Sequence, residues 1–291
     1  MTGAILVIGV TGTVGGATLR ALSAAGQEPA AFVRDPERAA SEVGEAVPLV
    51  TGDLADEASV RAALDGIDGV LLCSAHGPAM REQQLTAVRA IAASDARRIV
   101  KISGSPVSIA PDSPAASGRD HLAIEEALQA TGRETVALRP NTFMQNFLEQ
   151  SLAVGHGALP GPEGDPRVSF VDARDVGAVA AAALLAEDPP EPVLEVTGPE
   201  ALTWFEVAET MSSVLGRPVT HYPTPPEVIR QGLLGMGRPE WLVEHLLELA
   251  PLMREPKAAE VTDTVERMAG RPATSLLTFL HEHAAMFQAA A

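Results

Sequence analysis

The chain has 291 residues, 46% hydrophobic, 20% charged and 3% aromatic, the balance of a soluble globular protein whose core is built from Ala, Val, Leu and Ile rather than from rings. Its 38 acidic and 21 basic side chains give a formal net charge of −17, spread along the chain, so nucleic acid and anionic membranes are not expected as partners. Cys73 is the one cysteine, which excludes an internal disulfide and a cysteine-rich metal site.

The first predicted element is a strand at 4–9, an apolar run with no basic segment before it and therefore not a secretion leader. No stretch reaches the roughly 20 apolar residues that span a bilayer, and the expected location is cytoplasmic. After this strand Gly9, Gly12 and Gly15 recur every third residue, with Thr11, Thr13 and Val14 between them, before a helix predicted at 14–25. A glycine turn between a buried strand and a helix lets the backbone approach a pyrophosphate and aims the helix N-terminus at it. A strand at 28–33 follows and ends on Arg34, whose guanidinium suits a ribose 2′-phosphate; Asp35, one residue on, keeps a 2′-hydroxyl open. The expected cofactor is therefore NADP(H) ahead of NAD(H). After a third strand at 47–51, Asp53 is placed to accept from an adenine amine and Leu54 to pack on the ring, or else Asp53 caps the next helix.

Helices at 57–64, 80–94 and 119–130 alternate with strands at 69–73, 98–103 and 135–139. That alternation predicts an α/β fold, a doubly wound parallel sheet of the Rossmann type. Ligands in such sheets sit beyond the carboxyl ends of the strands. This places Ser74, Ser103 and Pro140 at the cofactor, and His76 and Ser105 at the substrate. Lys101, inside the fifth strand, reads as an edge or snorkelling residue. Beyond Pro140, glycines and prolines from Gly155 to Pro166 predict a loop, 167–171 a strand, Asp175 the N-cap of a helix running to Ala186, 193–197 a short strand, and 218–222 another in a mainly helical remainder. The predicted organisation is a dinucleotide core over 1–153, joined again by 167–186, with a smaller substrate lobe over 154–166 and 193–291. No zinc-protease helix, Cys/His cluster or paired carboxylates call for a metal, and no nucleophile elbow is present.

These residues, with His121-x-x-x-Glu125, the string Leu138-Arg139-Pro140-Asn141-Thr142-Phe143-Met144-Gln145-Asn146, the junction Phe170 to Val176, and Thr197 to Thr203 ahead of Glu206-Val207-Ala208, resemble the NmrA-like branch of the atypical short-chain dehydrogenase/reductases. The resemblance implies a Rossmann core, a C-terminal lobe, and a substrate cleft over the nicotinamide. It also implies that Asn141, Phe143 and Asn146 line the cleft, Asn141 toward the cofactor and the other two toward substrate. Many relatives carry a Tyr-x-x-x-Lys pair; aligned on Glu125, Ser117 stands at the tyrosine position and His121 at the lysine position. Ser117 and His121 are thus the candidate catalytic residues, His121 donating to a ribose hydroxyl or relaying a proton, with a helix cap and a satisfied helix histidine as the plainer roles. The resemblance leaves open an NADPH-dependent reductase acting on a small, mainly apolar electrophile (a carbonyl, quinone, conjugated alkene or imine-like dye), a dinucleotide-binding redox sensor, and an isomerase or lyase. The expected partner is a small-molecule substrate, and the expected state a monomer or homodimer.

Overall fold

A computed structural model describes residues 3–44 and 46–288. The first half alternates strictly: β1 (Ala4–Ile8), α1 (Thr13–Ala24), β2 (Ala30–Val33), α2 (Pro36–Val43), β3 (Leu49–Thr51), α3 (Glu57–Ala63), β4 (Ile67–Leu72), α4 (Met80–Ala92), β5 (Arg98–Ile102), α5 (Ala116–Gln129) and β6 (Glu134–Pro140). A 3-10 segment (Met144–Gln150) then leads through α6 (Ser151–Gly155), β7 (Ala158–Gly161), α7 (Ala173–Leu185), β8 (Val193–Val196), α8 (Trp204–Leu215) and β9 (Thr220–Pro223) to α9 (Pro226–Gly235), α10 (Glu240–Leu249), α11 (Thr264–Ala269) and α12 (Leu276–His283). Seven strands form one parallel sheet in the order β3-β2-β1-β4-β5-β6-β8. The order reverses between β1 and β4, which opens the crevice where a doubly wound sheet takes its ligand.

The strands are mainly apolar because each face is covered, and their charged residues, such as Arg98 and Lys101 in β5, are exceptions. In β1, Ile5 and Val7 join the layer of α1 and α7, while Leu6 and Ile8 join the opposite layer with α3, α4 and α5. The period of two carries into β5, where Val100 and Ile102 face one way and Ile99 the other. On the α7 side, fully buried Arg98 donates to the carbonyls of Ala183 and Ala186 and pairs with Glu134 at 2.9 Å. On the other side is Lys101, 1% exposed in a strand with neighbours on both edges, so it is neither an edge nor a snorkelling residue. Where α1 crosses α7, a Cβ on Gly177 would come within 2.6 Å of the Ala17 side chain, so glycine sets how closely the two helices lie.

A third apolar cluster gathers Met144, Phe147, Phe170, Trp204, Met211 and Phe279 with their neighbours, between the 3-10 segment, α8 and α12. Several expectations change here. Residues 167–171 form no strand; Val168 and Val171 make single bridges to Leu202 and Phe143. Asp172, not Asp175, caps α7 by accepting from Arg174 N, because the turn begins one residue after the buried Val171. Part of the glycine-proline loop is β7, which pairs with β9. Residues 193–196 extend the core sheet beside β6 rather than the lobe. The helix α2 was not foreseen, although Asp35 caps it and Pro36 opens it.

Candidate active site

At the crevice the turn after β1 is shaped by absent side chains. Gly9 has φ +85°, and a Cβ there would lie 2.5 Å from the Cys73 carbonyl oxygen; only glycine takes that backbone without strain. A Cβ on Gly15 would fall 2.1 Å from the Gly9 carbonyl oxygen. Gly12 N donates to Gly9 O at 3.0 Å and closes the turn. Gly12 is also the extended N-cap of α1, so no side chain takes the first N–H groups of that helix, and no acidic residue opposes an anion in its first turn. Thr11, Gly12 and Thr13 are exposed along the rim and Val14 and Gly15 are buried beneath. This cradle fits a pyrophosphate, held by backbone N–H groups and the helix dipole.

Beside it, Arg34 emerges exposed from the end of β2 and makes no hydrogen bond or ion pair among the described residues. Asp35 accepts from Arg38 N at 3.0 Å as the cap of α2. The carboxylate that left a 2′-hydroxyl open thus has a structural task, and the uncommitted group is a guanidinium suited to a 2′-phosphate. After β3, Asp53 does not cap α3; Asp56 does. Asp53 Oδ1 accepts from Ala55 N at 2.9 Å, and Ser59 Oγ ties the Asp53 backbone on both sides at 3.0 Å. One carboxylate oxygen stays open beside half-buried Leu54.

At the ends of β5 and β6 lies a buried polar centre. Glu125, 3% exposed, accepts from Ser103 Oγ and from Arg139 at 2.6 and 3.2 Å. Ser103, expected at the cofactor, therefore directs its hydroxyl into the protein. Next to this group, Lys101 Nζ lies 2.8 Å from His121 Nδ1 and donates to Ile102 O at 3.1 Å. Burial pulls the Lys101 ammonium down to about 7, against the opposing pull of Glu125 and Cys73. Burial also holds His121 well below the usual imidazole range, and the positive charge of Lys101 adds to this, so the ring is neutral near pH 7. With Lys101 as donor, His121 carries its proton on Nε2, which has no partner among the described residues. Ser117 is buried one turn earlier on α5 and is not its cap; Ala115 holds that position without a side-chain bond. The Cys73 thiol is pushed up to about 11 by burial, so it carries its proton near pH 7.

α10 packs against the start of α5 beside this centre. Glu248 accepts from Ala116 N at 2.9 Å, supplying from a distance the cap that α5 lacks locally. The His245 ring lies 3.8 Å from that of His76, and the Trp241 ring lies 5.6 Å from His76. Burial depresses both histidines, His245 to about 4. Ser74, behind them, accepts from Gln84 Nε2 at 2.9 Å.

Asn141 is corrected from a cofactor contact to a latch. It is 3% exposed, donates to Ser169 Oγ and Ala258 O at 2.8 Å each, and accepts from Thr142 N at 2.9 Å and Ser105 Oγ at 3.4 Å. Both ends of the amide are committed, which also occupies Ser105. Pro140 is buried at the end of β6. Phe143 is half-buried and bridged to Val171, and Asn146 is exposed on the 3-10 segment. The sequence missed Lys101 and His245. A lysine amid β-branched residues was the available signal for the first; nothing local marks the second, whose neighbour in the fold is distant in the chain. Among the described residues no three His, Cys, Asp or Glu side chains are placed to hold a metal ion, and no helix is long and apolar enough to cross a membrane.

Comparison with known proteins agrees with this geometry. The chain is 35% identical to the NAD(P)H azoreductase of Xenophilus azovorans over 287 residues, 98% of this chain and 100% of that protein. It is 34% identical to the (4-alkanoyl-5-oxo-2,5-dihydrofuran-3-yl)methyl phosphate reductase of Streptomyces griseus subsp. griseus over 284 residues, 97% of this chain and 99% of the other. The NADPH-dependent quinone oxidoreductase of Escherichia coli, crystallised with NADPH, superposes with a TM-score of 0.85 at 22% identity, over 96% of this chain and 99% of that one. The model of the NmrA-like family matches residues 1–282, and the chain belongs to the NmrA-like family.

Proposed function

We propose that this protein is an NADPH-dependent reductase that passes hydride to a small, mainly apolar electrophile, an azo, carbonyl, quinone, conjugated alkene or imine-like group. The observation that carries this reading is the combination of the glycine cradle with an uncommitted Arg34, in a chain aligned end to end with two reductases. The bound dinucleotide supplies the hydride. Gly9, Gly12, Gly15 and the N-terminus of α1 hold its pyrophosphate, Arg34 takes the 2′-phosphate, and Asp53 with Leu54 receives the adenine. In this reading His121, beside Lys101, and His76, against His245 and Trp241 of α10, are the side chains offered to the acceptor. Residues 154–166 and the chain beyond β8 select the acceptor.

The test is loss of reduced-nicotinamide absorbance on mixing the protein with NADPH and a panel of azo dyes, quinones, enones and triphenylmethane dyes. Turnover above background with at least one class is expected. The second reading is a sensor without turnover, favoured by Ser117 standing where relatives keep a tyrosine. A protein that binds NADPH tightly yet oxidises none of it across the panel establishes the sensor instead.

A further inference from the structure

Lys101 is hard to explain as a packing residue. It occupies an inward position of a central strand, on the face where Ile99 packs with the helices, and is 1% exposed. A buried ammonium is expensive unless a carboxylate neutralises it at contact distance. The nearby carboxylate, Glu125, is taken up by Ser103 and by the guanidinium of Arg139. Lys101 forms no ion pair among the described residues and touches instead one carbonyl and one imidazole nitrogen. Methionine or leucine would fill the slot at lower cost, so an amine kept here has a chemical use.

We propose that Lys101 is the proton store of the site, supplying through His121 the proton that reduction of the acceptor consumes, in a chain with Ser117 where many relatives carry the tyrosine. The proposal rests on the reductase reading and deepens it. Hydride addition to a C=O, C=N or N=N bond leaves the electron pair of that bond on oxygen or nitrogen. The His121 Nε2–H bond breaks as the new O–H or N–H bond forms; Nδ1 then takes a proton from Lys101 Nζ, and the imidazole is again neutral. Lys101 is left as a neutral amine, buried away from solvent; the pair resets when His121 Nε2 takes a proton from solvent and Nδ1–H hands its proton back to Lys101 Nζ. Lys101 is thus a positioning and proton-holding residue acting through His121, which meets the substrate. The charged and titratable groups facing the pair are Cys73 beyond β4, Glu125 on α5, Arg139 on β6, His76 after β4 and His245 on α10. Of these, Glu125 and Arg139 are locked together, and the two outer histidines are held neutral at pH 7. The transition near neutrality is therefore that of Lys101 itself, whose ammonium sits at about 7.

Two measurements test this. In the unaltered protein labelled with nitrogen-15 histidine, NMR should show His121 as the Nε2–H tautomer, with its Nδ1 resonance moving along one titration centred near pH 7, and the movement should vanish in Lys101→Met. With an accepted substrate, kcat should fall about tenfold per pH unit above that midpoint. In Lys101→Met, kcat should drop by about 100-fold or more at pH 6.5 and lose the limb, while the KM for NADPH stays within about threefold. An Nδ1–H tautomer or no response near pH 7 in the unaltered protein overturns the proposal even where the variant fails to fold. A Lys101→Met enzyme that keeps the same limb overturns the relay and leaves the reductase reading standing. An intact Lys101 titration with no turnover on any acceptor overturns the reductase reading and, with it, the transfer to substrate.

Discussion

A guanidinium at the end of the second strand distinguishes a phosphate from a hydroxyl because only the phosphate brings charge that can be met by two parallel N–H bonds. Arg34 is exposed and unengaged, so removing it costs the fold nothing visible, whereas Asp35 is occupied as the cap of α2. Arg34→Ala should raise the Kd for NADPH by roughly 10- to 100-fold, the worth of a charged hydrogen bond of about 1.5–3 kcal/mol, and change the Kd for NADH less than about twofold. Isothermal titration with both cofactors checks this, and equal losses would show that the arginine does not read the 2′-phosphate. Residues of this kind were readable beforehand because their roles follow from neighbours in the chain: Gly9, Gly12, Gly15 and Arg34 each lie within a strand-turn-helix unit. Ser103 and Asn141 were not, because the partners that use up their polar atoms, Glu125, Ser169 and Ala258, come from elsewhere in the fold. Asp172 and Asp175 are alike as local cap signals, and only the position of the first helical turn decides between them.

Among the elements, α10 depends on surroundings it does not contain. It has a single fully buried residue, Val243, and meets the core through Glu248 on the α5 terminus and through His245 and Trp241 against His76. His245 has its folded value depressed to about 4 from 6.5 by burial, so the unfolded or undocked helix binds the extra proton first. The contribution of this histidine is whole above pH 6.5 and is lost progressively as the pH falls toward 4. His76, shifted the same way, adds to the loss. Hydrogen exchange should accordingly show α10 opening between pH 6.5 and 4 before the β1–β4–β5 strands do, and His245→Phe should flatten that dependence. The seven-stranded sheet was largely predictable, since most of its strands are short runs with few charges bounded by turn residues. A lysine in mid-strand defeats the same logic, because period and polarity alone put it at an edge. The β7–β9 pair was half hidden for a related reason: Pro160 and Gly161 mark a loop by composition, and only the partner strand, with Pro160 paired to Tyr222, makes them a ladder.

For the molecule as a whole, the question is whether the lobe and the dinucleotide core unfold as one body. Their connections are buried and polar. Asp175, fully buried on α7, accepts from Thr274 N at 2.7 Å and Thr274 Oγ1 at 3.1 Å and pairs with Arg271 at 2.7 Å. Asn141 at the end of β6 holds Ala258 O, Ser169 Oγ donates to Glu260 O at 2.7 Å, and Thr262 donates to Thr197 and to Glu195 O. The chain from 258 to 274 is thus fastened to β6, α7 and the end of β8, and it leads directly into α12, whose Leu276, Phe279 and Leu280 belong to the lobe's apolar cluster. Loss of the lobe would leave these core-side groups without partners, so the two parts should melt in a single calorimetric transition, and truncating one latch should lower that transition rather than split it. Asp175→Ala removes the acceptor for one backbone N–H, one hydroxyl and one guanidinium, a buried-partner loss of about 3–5 kcal/mol, which for a chain of this size moves Tm by roughly 6–15 °C. Asp175→Asn keeps an acceptor for the Thr274 N–H and should recover a part of that loss. Two resolved transitions in either variant would instead mean that the cleft lies between independently stable bodies, and that the packing of α10 against the start of α5 is a docking event rather than a feature of the folded core.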